Sequence, residues 1–142
     1  MTEKSTQPQF SIGAIYVKDC SFEAPEPISA YGKQGWNPNA DVNIQVNTSA
    51  KADSQHEVVV SVNLKVTLED KTVFIVEMQQ AGLFTIAGVE GEKLNQVLRA
   101  YCPSIVFPYL RQNVSDLIIR AGFPPLYSVS YTHLTLPTKR IV

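Results

Sequence analysis

The sequence predicts an α+β domain, a four-stranded antiparallel sheet with helices packed on one face. Three observations lead there. Apolar residues alternate with polar ones in several segments before residue 88, the period lengthens to that of a helix after Gly88 and Gly91, and all the strands precede the helices.

The first strand is read from Phe10 to Phe22. Phe10, Ile12, Ala14, Tyr16 and Cys20 are assigned to one side, and Ser11, Gly13, Asp19, Ser21 and Glu23 to the other, with Ile15 and Val17 blurring the pattern. Ala24 to Ala40 holds Pro25, Pro27, Gly32, Gly35 and Pro38 and reads as a loop. It carries Ile28, Tyr31 and Trp36, which require something to lie against or to bind. Asp41 to Asn47 alternates cleanly, with Val42, Ile44 and Val46 inward. His56 to Leu68 does so at greater length, placing Val58, Val60, Val62, Leu64, Val66 and Leu68 inside.

Glu69-Asp70-Lys71 closes a short hairpin into a fourth strand, Thr72 to Phe84. Phe74, Val76 and Met78 share one side of it, and Val73, Ile75, Glu77 and Gln79 the other. Beyond Gly91, Leu94, Val97, Leu98, Tyr101, Ile105, Val106, Tyr109, Leu110, Val114, Leu117 and Ile118 recur at helical spacing. Pro103 suits the first turn of a helical segment, Pro108 is placed to kink it, and Ala121-Gly122 before Pro124-Pro125 ends it.

The bulk composition selects no unusual class. The chain has 142 residues, 44% of them hydrophobic, and a net charge of −1, which fits one domain and leaves no basic footprint for nucleic acid. No run approaches the roughly 18 apolar residues of a membrane span, and the polar start lacks a signal peptide's apolar core. Membrane insertion is not expected, and the location is expected to be cytoplasmic. Cys20 and Cys102 are read as two buried free thiols in a reducing compartment.

Catalytic chemistry finds little support. His56 and His133 have no metal-ligand spacing, and no GxSxG, phosphate-binding glycine loop or HExxH occurs, so neither catalysis nor a metal or other cofactor is expected. Asp19 and Glu23 share a strand face but stand roughly 13 Å apart, beyond the separation of a hydrolase pair. Spaced anions of this kind suit either an ordinary solvated face or docking to a basic surface. The apolar residues on the sheet's uncovered side, Val73 and Ile75 beside Glu77 and Val17 near Asp19, are either scattered surface residues or part of an assembly or docking surface.

The stretch Thr-Val-Phe-Ile-Val-Glu-Met-Gln-Gln-Ala-Gly-Leu-Phe-Thr-Ile-Ala-Gly at 72–88 goes with Ala100-Tyr101-Cys102-Pro103 and Phe107-Pro108-Tyr109 further on. Ile15-Tyr16-Val17-Lys18-Asp19 and Ser21-Phe22-Glu23-Ala24-Pro25 precede them. Together these segments resemble the SecB family of bacterial protein-export chaperones, from about residue 10 to Tyr127. The resemblance implies a SecB-like fold that assembles as a homotetramer, a dimer of dimers. It also implies a holdase that catalyses no reaction, binds unfolded precursor proteins and delivers them to the SecA ATPase.

By the same resemblance, Asp19, Glu23, Ile75 and Glu77 form the surface for SecA. Tyr31 and Trp36 of the crossover loop, with Val42 and Ile44, line the client groove. Phe74, Val76, Met78 and Gln80 form the side on which assembly depends, and the helix bearing Tyr109 packs between dimers.

The chain then divides into a disordered start (1–9), the chaperone domain (10–127) and an atypical end (128–142). That end carries β-branched residues, no helical stripe and no acids where the family continues into an amphipathic helix and an acidic tail, so it is read as non-native. Two other readings remain open at this point: a SecB-like chaperone dedicated to one client such as an antitoxin, and a small-ligand-binding α+β protein with Trp36, Tyr31 and Tyr16 around an apolar pocket.

Overall fold

A computed structural model describes residues 7–31 and 36–125. The end at 128–142 lies outside these residues, as do positions 1–6 of the expected disordered start. The four strands are β1 (Gln9–Glu23), β2 (Asn39–Ala52), β3 (Gln55–Leu68) and β4 (Lys71–Ala87), with a 3-10 turn (Ile28–Tyr31) after β1. They form one antiparallel sheet in the order β1-β4-β3-β2, so the long loop after β1 carries the chain from one edge to the other.

Both hairpins are tight. Leu68 pairs with Lys71, leaving Glu69 and Asp70 as a two-residue turn with φ of 52° and 68°. Two consecutive positive φ values match a type I′ turn, whose twist suits antiparallel strands.

The helical region is a contiguous run of α1 (Gly91–Gln96), a π turn (Val97–Tyr101) and α2 (Cys102–Arg120). Cys102 donates its amide hydrogen to Val97 O, five residues back, and Pro103 follows at the start of α2. Pro103 has no N–H for the carbonyl four residues earlier, and the wider turn absorbs that lost bond. Pro103 does stand in the first turn of α2, as expected, but that segment joins the preceding helix through a change of pitch, and α2 continues through Pro108. Its end is a Schellman motif: Gly122 (φ 93°) donates to Ile119 O and Phe123 to Ile118 O.

α2 lies on β3 and β4. Beneath and beside it the core holds Val58, Val60, Val62, Leu64 and Val66 of β3, Phe74, Val76, Met78 and Phe84 of β4, and Val106, Leu110 and Ile118 of α2. Gly82 lets the helix come close, because a Cβ there would stand 2.7 Å from the Phe84 ring and 2.9 Å from Val106 Cγ2. Asn113 Nδ2 donates to the buried Gln80 Oε1 at 2.7 Å and fixes the helix's register on β4.

The structure corrects four sequence readings, three of them through β-bulges. Register shifts at Gly13 and Lys18 make β1 change sides twice, so Ala14 and Tyr16, opposite Leu83 and Ala81, leave the helix side on which Phe10, Ile12 and Cys20 stand. Val17, opposite Gln80, points to the helix side and not to the uncovered one. In β4, Thr72 pairs with Thr67 and Phe74 with Val66, which leaves Val73 as the extra residue, and Val73 is buried. Cys20 is exposed because β1 is an edge strand, while Cys102 is buried in α2; both are free thiols.

Candidate functional site

The uncovered side of the sheet gathers the expected docking residues. Partners directly opposite in an antiparallel ladder point the same way, and here Asp19 faces Gln79, Ser21 faces Glu77 and Glu23 faces Ile75. Asp19, Glu23, Ile75 and Glu77 therefore occupy one patch on two adjacent strands. With strands ~4.8 Å apart and ~3.3 Å per residue, Glu77 stands roughly 8 Å from each of the other two acids.

Asp19, Glu23 and Glu77 are exposed, Ile75 is half-buried between them, and no ion pair neutralises the three acids among the described residues. Unit charges at that distance repel by only about 0.5 kcal/mol in water, so the fold tolerates the cluster. The result is an apolar centre flanked by three anions on β1 and β4, with Lys65 of β3 directly opposite Ile75 on its other flank.

Further along the same side lies a polar cluster that residue spacing did not reveal. Glu57 of β3 is 4% exposed although, among the described residues, no helix packs on this side of the sheet. Tyr16 Oη donates to its Oε2, Lys18 Nζ to its Oε1 at 2.7 Å, and Lys51 Nζ stands 3.7 Å from Oε1. Three strands thus meet at one carboxylate.

The Lys18 and Tyr16 hydrogen bonds outweigh burial and hold the Glu57 carboxyl below the usual range. The same Glu57 bond, with lesser help from burial, pushes the Tyr16 hydroxyl up to about 12. The alternation of β3 reads Glu57 as an outward, solvated residue, and nothing local marks it as buried because its partners sit 39 and 41 positions away in sequence.

At the opposite side and end of the sheet, aromatic rings form a row. Trp36 stacks on Phe123 with centroids 6.2 Å apart, Phe123 meets Phe74 at 5.1 Å, and Phe74 stacks on Phe22 at 5.4 Å. Each ring arrives from a different element: the crossover loop, the end of α2, β4 and β1. Phe123 is the member that sequence reasoning passed over. The signal was the Ala121-Gly122 stop, since the residue after a Schellman glycine commonly turns back onto its helix.

Of the four groove residues expected, Trp36 is half-buried in this row. Tyr31 is buried, its hydroxyl 3.5 Å from Thr72 O, and Val42 and Ile44 stand on the helix side of β2, Val42 half-buried. Trp36, Val42 and Ile44 all belong to the core's fringe or interior.

Of the residues expected to support assembly, Phe74, Val76, Met78 and Gln80 are buried inside the single chain. Tyr109 is 50% exposed on α2, with Tyr101 and Ile119 similarly open. Among the described residues, no group of three His, Cys, Asp or Glu side chains is arranged to hold a metal ion, and no helix is long and apolar enough to cross a membrane.

Comparison with known proteins agrees with this architecture. Residues 3–132 match the family model described as preprotein translocase subunit SecB. The protein-export protein SecB of Marinobacter nauticus is 40% identical over 124 residues, covering 87% of this chain and 74% of its own. That of Methylococcus capsulatus is 41% identical over 128 residues, covering 89% and 82%. Among solved structures, the SecB-like chaperone of Mycobacterium tuberculosis, in complex with a peptide from the HigA1 antitoxin, superposes with a TM-score of 0.70 at 20% identity, over 85% of this chain and 90% of that one. A four-stranded antiparallel sheet with a helical run on one side, joined to this degree of identity over most of the chain, places the protein: it belongs to the SecB family of protein-export chaperones.

Proposed function

We propose that the chain binds unfolded precursor polypeptides in the cytoplasm, keeps them competent for translocation, and passes them to the SecA ATPase without itself catalysing a reaction. The observation that carries client binding is the aromatic row. Trp36 lies half-buried at the rim of Phe123, Phe74 and Phe22, with the apolar side of β2 beyond the reach of α2's main packing. Such a surface takes apolar segments without reading their sequence. About 400 Å² of client apolar area gives ~10 kcal/mol of gross driving force, before the ordering of the client is subtracted.

The patch of Asp19, Glu23, Ile75 and Glu77 is the docking surface for SecA in this reading. Its apolar centre and anionic rim suit a basic partner, whose approach is steered by charge and whose residence depends on the centre. It lies on the side of the sheet away from the aromatic row, so a client and SecA can be held together. A homotetramer, a dimer of dimers, is supported by the exposed large side chains of the helical run, Tyr101 in the π turn and Tyr109 and Ile119 on α2. The buried Phe74, Val76, Met78 and Gln80 act on assembly through the seating of α2.

The test is refolding of a destabilised precursor with and without the chain, in the absence of ATP, with light scattering to give the oligomer mass. A tetramer that delays refolding of several unrelated precursors supports the proposal. Delay of one precursor alone marks a dedicated chaperone, and saturable binding of a compact small ligand without any delay overturns the holdase reading.

A further inference from the structure

The acids of the docking patch reach their side of the sheet because of one extra residue. Ile15 and Val17 lie opposite Gly82 and Gln80 and point toward the helix, so an unbroken strand would send Asp19 the same way. Instead the register skips Lys18, and Asp19, Ser21 and Glu23 come to face Gln79, Glu77 and Ile75 on the uncovered side. A bulge in an edge strand is the least restrained kind, since one flank has no ladder.

This one is gripped at the bulged residue and on its N-terminal side. Lys18, the bulged residue, and Tyr16, two before it, both bond to the buried carboxylate of Glu57, which reaches them from β3 across β4. Val17, between them, points the other way.

We propose that Glu57 is a positioning residue for SecA docking: by holding Tyr16 and Lys18 it pins the β1 bulge and so keeps Asp19 and Glu23 on the same side as Ile75 and Glu77. This rests on the docking role given to those four residues above. Glu57 itself need not touch the partner. With the carboxylate replaced, β1 gains access to a bulge-free register beyond Val17, in which Asp19 turns toward the helix side and the acidic rim is lost. The client surface, on the opposite side of the sheet, is not involved.

The register supplies a test that separates positioning from general stability. Val17 and Asp19 pair with the adjacent residues Gln80 and Gln79, so a chain lacking Lys18 makes a regular strand with Asp19 still opposite Gln79, and needs no tether. Affinity for purified SecA is measured by titration for the unaltered chain, Glu57→Gln, the chain lacking Lys18, and the two changes combined, each alongside precursor holding and oligomer mass. Glu57→Gln is expected to weaken SecA binding about tenfold with holding intact. Deleting Lys18 is expected to return the Glu57→Gln chain to within about threefold of the unaltered affinity.

Unchanged binding by Glu57→Gln overturns the proposal, as does a loss that the deletion fails to repair. Asp19→Asn serves as the control. If it binds SecA as the unaltered chain does, the docking role itself falls, whereas its weakening beside an unaffected Glu57→Gln rejects the positioning role alone. Should Glu57→Gln fail to fold, Tyr16→Phe and Lys18→Met together remove both bonds from the β1 end. Weakened SecA binding with holding intact then supports the proposal, whereas unchanged binding overturns it.

Discussion

Asn113 on α2 donates a 2.7 Å hydrogen bond to Gln80 on β4, a side chain 2% exposed. Removing one partner strands a buried amide, whereas replacing both removes the need. Gln80→Leu or Asn113→Leu alone should destabilise the chain by about 1–3 kcal/mol, and the double substitution by clearly less than their sum. Chemical denaturation at one fixed protein concentration measures both, and additive losses would show that the amides do not act as a pair.

The Glu57 cluster makes stability depend on pH at both extremes. Glu57 has a lowered folded pKa, so its contribution is fully present above the ordinary carboxyl value and is lost as pH falls through the folded one. Tyr16 is raised to about 12, so its contribution is complete below the unfolded value of about 10 and disappears between there and about 12. Denaturation midpoints should fall at both ends, and Glu57→Gln should flatten both limbs.

Burial pushes the Cys102 thiol up to about 12, which leaves almost no thiolate at neutral pH, while Cys20 stands exposed on β1. A disulfide reagent at pH 8 should titrate no more than one thiol per native chain and two after unfolding. Cys20→Ser should abolish the native reaction altogether.

Phe123 is 3% exposed and holds Trp36 and Phe74 together. Phe123→Ala should cost about 3–5 kcal/mol and move Trp36 emission to longer wavelength, because the indole loses its stacking partner. Precursor binding to the unaltered chain should shift that emission the opposite way. An unmoved spectrum in both experiments would remove Trp36 from the groove.

Asp70 has a φ of 68° in the turn between β3 and β4, a conformation that L side chains take at a cost of about 1 kcal/mol. Asp70→Gly should therefore raise stability by up to about that amount, read from the thermal midpoint. A loss would mean that the aspartate makes a compensating contact in this turn.

The strands, their order of appearance and the helical run were legible because burial imposes two-residue and helical periods directly on the sequence. β3 is the clearest case: every inward residue named for it is buried. The edge strand β1 was harder, since a bulge inserts a residue without marking it by type, and Lys18 resembles any surface lysine. Asp19, Glu23, Ile75 and Glu77 did meet on one side as expected, although the neighbours assigned by simple alternation, Val17 and Val73, did not join them. The Glu57 cluster and the Phe123 ring escaped notice for a common reason: both depend on contacts between segments far apart in the chain, which no local period encodes.

The π turn at Val97–Tyr101 bears on what lengths this chain can have. A five-residue turn in a helix of 3.6 residues per turn offsets everything before it by one residue relative to α2. Shortening the turn by a single residue would restore ordinary pitch yet rotate Leu94 and α1 by about 100° about the axis, away from the surface they now meet. Relatives of this protein that gain or lose residues should therefore do so in the crossover loop or at the ends, and a one-residue deletion in this turn should be far more damaging than most substitutions at the same positions.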